Sequence, residues 1–338
     1  IMTNACDAQV LPRKSGRILS LGELLIDLIP TETGGRIDQA GAVWKTASGS
    51  AGIFACAVAA LGAESAFLGK VGTDALSRMA YHTVGDAGVD MSRVVVSGEG
   101  QIGLAFIEYL PDGSRNYEYY RTRSVGSLYR AGELNADDLK SAYALHFPGM
   151  LLELSPELRE TSLFAARAAK EHGVLLSFDP NIRFELSSAE SLGRLVGVIQ
   201  MADVIAPTLQ EGRIITGKTS VGDVLRALHA MGPKVVALTR DKDGAAVSSG
   251  GMVALCDGID VPVIDPTGAG DTFAAALIVA LQRGMTLSET ALFCNCAGTL
   301  VVTKRGAIGQ AIPTLDEVNE LLKTNPCQVR LVKLDELD

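Results

Sequence analysis

The segment Val263–Phe273 carries residue types that could do chemistry. It reads Val-Ile-Asp-Pro-Thr-Gly-Ala-Gly-Asp-Thr-Phe and is followed by an apolar run over 274–281. This pattern predicts a strand, a glycine-rich turn and a long buried helix. Small residues in such a turn let backbone N–H groups converge on an anion, and the positive end of the helix dipole favours negative charge there. The amides of Gly268, Ala269 and Gly270 are therefore predicted to form an anion hole.

Asp271 lies in the first turn of this predicted helix, where a carboxylate repels a bound phosphate. A carboxylate is useful at that point if it removes the proton of a hydroxyl that attacks a phosphoryl group. A general base beside an anion hole is the combination that phosphoryl transfer needs, because catalysis there is mostly positioning and charge neutralisation. The alternative is an aspartate that only caps the helix.

Strands and helices alternate around this segment. Strands are predicted at 18–21 (continuing through 24–29), 66–71, 145–147, 175–178, 204–206 and 235–238, and helices at 50–61, 75–87, 157–172, 188–200 and 222–231. Such alternation predicts an α/β protein whose mostly parallel sheet lies between layers of helices.

Residues 101–121 break this alternation. Two alternating, aromatic-rich runs flank a Pro-Asp-Gly turn, which is the pattern of a β-hairpin. Together with residues 31–48, the hairpin is predicted to form a small β-lid over the carboxyl edge of the large sheet, where open α/β folds bind ligands. A simple edge hairpin is the alternative.

Composition and charge argue against several classes of partner. The formal net charge is −9 and no run of Lys and Arg occurs, so nucleic acid and anionic membranes are not expected partners. No segment has the ~18 uninterrupted apolar residues of a membrane helix, and residues 1–17 lack the apolar run of a signal peptide, so a cytoplasmic protein is expected. The six cysteines form no C-x-x-C pair, and Cys294 and Cys296, in an apolar stretch, are interpreted as buried thiols.

Residues 212–219, Gly-Arg-Ile-Ile-Thr-Gly-Lys-Thr, match the spacing of a P-loop. That motif needs its first glycine directly after a strand and a flexible loop whose amides surround a phosphate. Here residues 208–216 are predicted to form a helix that ends at Gly217, so the match is interpreted as coincidental.

The stretch Asp265–Asp271 resembles the signature of the PfkB, or ribokinase-like, sugar kinases, and the resemblance spans most of residues 18–322. Other segments follow in the order of that family: 22–27 (Gly-Glu-Leu-Leu-Ile-Asp), 61–74, 179–183 (Asp-Pro-Asn-Ile-Arg), 295, 303–307 and 311–313. The resemblance implies a ribokinase-like three-layer α/β/α fold with a mostly parallel central sheet and a small β-lid. The core would comprise residues 16–30, 49–98 and 122–325, the lid 31–48 and 99–121, and the terminal extensions 1–15 and 326–338.

The resemblance also implies a role for individual residues. Asp271 would be the base, beside the anion hole of Gly268, Ala269 and Gly270, and Glu211 would act on Mg²⁺ through water. ATP would be the phosphoryl donor, held by Thr239, Arg240, Gly244, Gly268, Gly270 and Asn295. A monovalent cation such as K⁺ and a homodimer formed through the lid are further expectations.

Three positions depart from the family pattern. Ile53 stands where the family has a sugar-binding Asn, Thr208 replaces the Asn of Asn-x-x-Glu, and Asp241 replaces the first Gly of Gly-x-x-Gly. Asp tolerates a left-handed backbone better than most residues, but it adds negative charge near phosphates. A catalytically degenerate homologue that senses a sugar is therefore a second hypothesis.

The substrate prediction depends on the end of the hairpin. The Tyr-Tyr-Arg at 119–121 and the serines that follow resemble 2-keto-3-deoxygluconate kinases, in which Tyr and Arg hold the sugar acid. Asp27 instead resembles fructokinases. The predicted substrate is a keto-sugar or keto-sugar acid, with 2-keto-3-deoxygluconate slightly ahead of fructose; lid packing is the alternative role for this segment. The predicted substrate-binding residues are Asp27, Gly49, Tyr119, Arg121 and Arg183.

Overall fold

The computed structural model describes residues 7–32, 35–110, 115–182, 188–324 and 327–338. Its strands are β1 (Arg17–Leu21), β2 (Leu25–Pro30), β3 (Val43–Ser48), β4 (Ser65–Leu68), β5 (Lys70–Val71), β6 (Val95–Val96), β7 (Gly103–Tyr109), β8 (Arg115–Tyr120), β9 (Ala142–Pro148), β10 (Leu175–Asp179), β11 (Val204–Ile205), β12 (Val235–Thr239), β13 (Ala245–Ser249), β14 (Met252–Cys256) and β15 (Val329–Lys333). Its α-helices are α1 (Ser50–Ala60), α2 (Ala75–Asp86), α3 (Leu151–Leu154), α4 (Pro156–Glu171), α5 (Ala189–Ile199), α6 (Leu209–Thr216), α7 (Val221–Ala230), α8 (Ala269–Arg283), α9 (Leu287–Val302) and α10 (Leu315–Thr324).

The large sheet of the described chain has nine strands in the order β15-β14-β13-β12-β11-β10-β9-β1-β4. All pairs from β4 to β12 are parallel, whereas β13, β14 and β15 are added antiparallel at one edge. The crossover helices cover both faces, as parallel pairing requires. This arrangement brings the carboxyl ends of the parallel strands to one edge of the sheet.

The sheet separates two hydrophobic clusters. Successive residues of a strand point to opposite faces, so Ile18 packs with α1, α8 and α9, while Leu19 packs with α4, α5 and α7. Val235 and Val236 are divided in the same way. The three-layer α/β/α arrangement predicted from the sequence is therefore confirmed.

The small sheet of the described residues contains four strands in the order β3-β2-β7-β8. The predicted hairpin is confirmed, since β7 and β8 pair antiparallel from Leu104↔Tyr120 to Tyr109↔Arg115; its turn, 111–114, lies outside the described residues. The predicted lid boundary is wrong at one point. Residues 25–30, assigned to the core, form β2, which pairs with β3 and β7 in the small sheet. The chain leaves the large sheet at Gly22, so β1 and β2 are not one continuous strand.

The prediction that residues 326–338 form a terminal extension outside the core is also wrong. Val329–Lys333 form β15, which pairs antiparallel with β14 and so covers the edge of the large sheet. Leu331 of this strand packs on one hydrophobic cluster and Val332 on the other. Near the amino terminus, Gln9 forms a bridge with Thr286, which fastens that segment beside α9.

The P-loop-like segment is helical, as predicted. Thr208 and Glu211 form a capping box at the start of α6, and Gly217 ends the helix in a left-handed conformation with φ 68°. Gly212 therefore lies within a helix and cannot begin a phosphate-binding loop. In the part of the chain that the structure describes, we find no helix with the length and apolar content needed to cross a bilayer.

Candidate active site

A cavity of about 840 Å³ lies between the small sheet and the carboxyl ends of the parallel strands. It extends from Asp27 and Arg121 on the small sheet, past Asp271, to Thr239 and Asn295. The sequence-predicted residues that line it are Asp27, Gly49, Tyr119, Arg121, Glu211, Thr239, Gly244, Gly268, Ala269, Gly270, Asp271 and Asn295. Residues predicted separately for substrate, catalysis and nucleotide thus share one cavity. Arg183 lies outside the described residues.

The glycine-rich turn directs backbone amides into the cavity at the start of α8. Gly268 is the N-cap residue with φ 81°, a left-handed conformation that favours glycine. The amides of Gly268 and Gly270 meet no acceptor among the described residues, as expected for the first turn of a helix. The Ala269 amide, by contrast, donates to the Pro266 carbonyl at 3.4 Å. Gly268 and Gly270 therefore supply the better anion-binding donors of the predicted three.

Asp271 is half-buried beside these amides, and Ser50 holds its carboxylate. The Ser50 hydroxyl donates to Asp271 Oδ1, and Asn181 Nδ2 contacts Ser50 Oγ at 3.4 Å. Asn181 has φ 41° and is itself fixed by donation from its backbone N–H to Asp179 Oδ1 at 3.0 Å. Sequence reasoning missed Ser50; its position after Gly49 at the start of a buried helix was the available signal.

Arg121 and Glu23 form a buried ion pair beneath the small sheet. Arg121 Nη1 lies 3.2 Å from Glu23 Oε1, and the side chains are only 7% and 3% exposed. Ser124 donates to the other Glu23 oxygen at 3.1 Å, and the Arg121 guanidinium stacks on the Tyr119 ring at 4.1 Å. Burial raises the pKa of Glu23, while Arg121 and Ser124 oppose that shift. Arginine stays protonated in proteins, so the buried positive charge of Arg121 needs a negative partner. An ionised Glu23 supplies that partner, and the pair is then neutral overall.

Asp27 is a second buried carboxyl group of the small sheet. It is 3% exposed and lines the cavity from β2. Burial raises the pKa of Asp27 to about 7, and the nearby Asp265 carboxylate contributes to this increase. A hydrogen bond with Ser48 and the charge of Arg115 act in the opposite direction. Asp27 can therefore change its protonation state near neutral pH.

Arg115 connects the small sheet to the glycine-rich turn, and sequence reasoning missed it. It is the first residue of β8, and its Nη1 donates to Thr267 Oγ1 at 2.7 Å. The same nitrogen lies 3.8 Å from Asp265 Oδ1. Among the described residues that line the cavity, the cations are Arg115, Arg121 and Lys242. Since Glu23 pairs closely with Arg121, Arg115 is the cation next to the anion hole, and the only ion pair that it makes among the described residues is the longer one with Asp265.

The loop after β12 forms the far end of the cavity. Asp241 has φ 51°, so the left-handed conformation expected at this position is present. Gly244 has φ 93°, and a Cβ atom there would lie 2.1 Å from the Cys256 carbonyl oxygen, so no larger residue fits. Arg240, predicted to bind nucleotide, is not among the cavity-lining residues. Its Nη2 instead donates to the carbonyls of Asp243 at 2.6 Å and Cys256 at 3.1 Å, which braces the loop.

Glu211 reaches the cavity but is held by its neighbours. Its Oε1 accepts from the Ile182 amide at 2.6 Å, and its Oε2 accepts from the Thr208 amide at 2.8 Å. In the described ranges, no three His, Cys, Asp or Glu side chains are grouped to hold a metal ion. Mg²⁺ usually keeps several waters and binds through one or two carboxylates plus substrate phosphates. Glu211 fits the predicted contact through water.

A family model described as pfkB family carbohydrate kinase matches residues 15–315. The chain belongs to the pfkB family of carbohydrate kinases. It is 34% identical to Fructokinase-1 of Oryza sativa subsp. japonica over 321 residues, which cover 92% of this chain and 99% of that protein. Membership of this family of carbohydrate kinases confirms the predicted family and the enzyme class, a sugar kinase.

Solved structures of other kinases share the fold of this pfkB kinase. A proposed ribokinase II from E. coli, in complex with ATP and Mg²⁺, superimposes with a TM-score of 0.84 at 26% identity, covering 92% of this chain and 99% of that one. The 2-dehydro-3-deoxygluconokinase of Thermotoga maritima gives a TM-score of 0.84 at 22% identity, with 92% and 99% coverage. At that identity the second likeness concerns the fold alone. The ribokinase-like fold is confirmed.

Proposed function

We propose that this sugar kinase transfers the γ-phosphoryl group of ATP to a primary hydroxyl of fructose or a closely similar neutral keto-sugar. The buried Glu23–Arg121 ion pair is the observation that carries the choice of a neutral sugar. The 34% identity to a fructokinase points in the same direction. This order of substrates reverses the slight preference for 2-keto-3-deoxygluconate that the sequence motifs favoured.

The charge of Arg121 is already balanced inside the protein. A guanidinium that binds a substrate carboxylate strongly does so with an uncompensated charge and a bidentate geometry. Here a carboxylate substrate would approach a pair that is neutral overall. The remaining N–H groups of Arg121 and the ring of Tyr119 can still hydrogen-bond to and pack against a neutral sugar.

Asp27 also favours a neutral substrate. Its carboxyl group lines the same end of the cavity, and Asp265 lies close enough to raise its pKa. A sugar acid would add a third carboxylate to this region, and like charges at short range repel. Sugar hydroxyls instead can donate to an ionised Asp27 and accept from a protonated one.

Asp271 is the proposed general base. Ser50 orients the carboxylate, which takes the proton of the acceptor hydroxyl while the new bond forms between that oxygen and the γ-phosphorus. The bond between the γ-phosphorus and the bridging oxygen breaks, and ADP leaves with that oxygen. The amides of Gly268 and Gly270, together with Arg115, stabilise the negative charge of the transferred group.

ATP and Mg²⁺ fit the residues that are present. The Gly268 and Gly270 amides can bind the phosphates, and the end of the cavity that Gly244 and Asn295 line can hold the adenine base of ATP. When bound, Mg²⁺ supplies charge neutralisation to the phosphates, as in other phosphoryl transfers. Glu211 would orient water on that ion.

The second candidate substrate is 2-keto-3-deoxygluconate. It is favoured by Tyr119 and Arg121, which line the cavity side by side, with the guanidinium stacked on the ring. The two candidates differ in charge, so removing the charge of Glu23 separates them.

The test compares kcat/KM for fructose and for 2-keto-3-deoxygluconate in the wild type and in Glu23→Gln. We expect the wild type to prefer fructose by at least about tenfold, and Glu23→Gln to shift the ratio toward the acid by about tenfold, the equivalent of ~1.4 kcal/mol. Glu118→Gln removes an exposed carboxylate from β8 and is the matched control, with an unchanged ratio. A wild type that prefers the acid would refute the neutral-sugar proposal. Sugar-dependent thermal stabilisation without ADP formation from any sugar would instead support the sensor hypothesis.

A further inference from the structure

Two cysteines meet beside the nucleotide end of the cavity. Cys256 is the last residue of β14 and is fully buried, whereas Cys327, just before β15, is partly exposed. Their Sγ atoms are 2.9 Å apart, although the residues are separated by 71 positions in the sequence. The antiparallel pairing of β14 with β15, in which Cys256 lies opposite Val329, brings the two thiols together.

Cys327 contacts Asn295, which lines the cavity, and Asp257, which lies next to the lining residue Gly258. Its thiol donates to the Asp257 carbonyl at 2.7 Å. Asn295 Nδ2 donates to the same carbonyl at 2.9 Å and to the Cys327 sulfur at 3.7 Å. An amide NH₂ has two hydrogens, so these two acceptors fix the orientation of Asn295, and the amide oxygen is the group that can bind a ligand.

Cys256 contacts the other side of the same end. Its carbonyl oxygen accepts from Arg240 Nη2 at 3.1 Å and lies against Gly244 so closely that no Cβ atom fits between them. Gly244 and Asn295 both line the cavity. A change in the bonding of the two sulfur atoms therefore acts on two elements that line this end.

We propose that Cys256 and Cys327 form a reversible disulfide, and that this bond weakens nucleotide binding. A disulfide bond is about 2.05 Å long, so the two sulfur atoms must approach by less than ~1 Å. The disulfide itself requires only the geometry of the thiols, whereas its effect on ATP rests on the function proposed above.

The oxidation is a two-electron step, and the oxidant is a hydroperoxide such as H₂O₂. The Cys327 thiolate attacks the peroxide oxygen because it is the partly exposed sulfur; the O–O bond breaks, water leaves and Cys327 becomes a sulfenic acid. The Cys256 sulfur then attacks the Cys327 sulfur, the S–O bond breaks and a second water leaves. The two thiols lose two protons and two electrons in total, and a dithiol restores both.

The disulfide removes interactions that now orient Asn295. Cys327 in a disulfide has no S–H to donate to the Asp257 carbonyl, and its sulfur, which contacts Asn295 Nδ2 at 3.7 Å, shifts toward Cys256. One of the two acceptors of the Asn295 amide is therefore displaced, and the loop that begins at Asp257 loses one of its two side-chain donors. We expect the Kd for ATP to rise at least threefold.

The first experiment maps the bond in the whole chain. After treatment with H₂O₂, non-reducing peptide mapping should yield a linked Cys256–Cys327 peptide that dithiothreitol separates. Cys296 is a third, buried cysteine close to these two, since it interacts electrostatically with each of them. Cys296→Ala is therefore the matched control and should retain the linkage. A Cys296–Cys327 linkage, or no linkage at stoichiometric oxidation of Cys327, would overturn the proposal.

The second experiment measures ATP binding with MgCl₂ by titration calorimetry in reduced and oxidised protein. We expect the Kd ratio to be at least three in the wild type and close to one in Cys327→Ala, which changes a partly exposed residue and so preserves the fold. A mapped linkage with an unchanged Kd would overturn the coupling. Reduced protein that binds no ATP would instead refute the proposed function, while the peptide map still decides whether the disulfide forms.

Discussion

Replacing Asp27 by Asn should change the pH dependence of stability in a calculable way. The pKa of Asp27 rises from 3.8 to about 7 in the folded state, because the carboxyl group is buried. Below pH 4 Asp27 is protonated in both the folded and unfolded states, so its ionisation does not affect the free energy of unfolding. As the pH rises from 4 to 7, only the unfolded state ionises, so the free energy of unfolding falls; above pH 7 the cost is constant. The full cost is about 4 kcal/mol, at 1.36 kcal/mol per pKa unit.

The assay is urea unfolding of the wild type and of Asp27→Asn at pH 5 and pH 8. By pH 5 the ionisation of Asp27 in the unfolded state has already lowered the free energy of unfolding by part of this amount. The wild type should therefore lose roughly 2–3 kcal/mol more than Asp27→Asn between pH 5 and pH 8. Other titrating groups are common to both proteins and cancel in the comparison. Asp316→Asn, which removes an exposed carboxylate from α10, is the control and should follow the wild type. Parallel pH profiles of the wild type and Asp27→Asn would refute the reasoning.

Two further substitutions test the role of Arg115 in the site and the interpretation of the P-loop-like segment in α6. Arg115→Gln removes the cation that contacts Thr267, so kcat should fall about 10²-fold, which is within the range for loss of one charge-stabilising donor. Arg115→Lys should recover part of the rate. A steady-state kcat of Arg115→Gln within threefold of the wild type would contradict this role. Lys218→Ala changes an exposed residue after the C-cap of α6, so KM for ATP should stay within twofold; abolished ATP binding would instead revive the P-loop interpretation.

Much of the fold could be predicted because it depends on local patterns. The glycine at 217 ends α6 in a left-handed conformation, as its position after an amphipathic run indicated. The turn and helix around Gly268 likewise follow from small residues before an apolar run. The strand predicted before this turn is wrong, because residues 261–265 form no strand and the side chains of Val263 and Ile264 are exposed. The alternation in β7 and β8 fixed the hairpin. Each of these features involves residues close together in the sequence.

The errors arose where partners are distant in the sequence. The apolar residues 25–30 look like a continuation of β1, and only their pairing with β3 and β7 shows that they belong to the small sheet. β15 is a short, half-buried edge strand, whose pattern is weak without its partner β14.

The contacts of Arg121 show the same limit within the site. The sequence indicated a free guanidinium at the substrate end, but a glutamate 98 positions earlier neutralises it. Arg115 and Thr267 are 152 positions apart, and Ser50 and Asp271 are 221 apart, so no local pattern could connect them. The sequence motifs predicted many of the residues that line the cavity. Which of their charges are paired could be seen only in the structure.

The most direct test of phosphoryl transfer at this site is the turnover of Asp271→Asn. Removing the base should lower kcat for the preferred sugar by at least about 10³-fold, within the range of general-base catalysis, while Kd for the sugar stays within about threefold. Asp316→Asn is again the control. Asp271→Asn protein that keeps near-normal kcat would contradict the assignment of the proton acceptor and, with it, the account of the site.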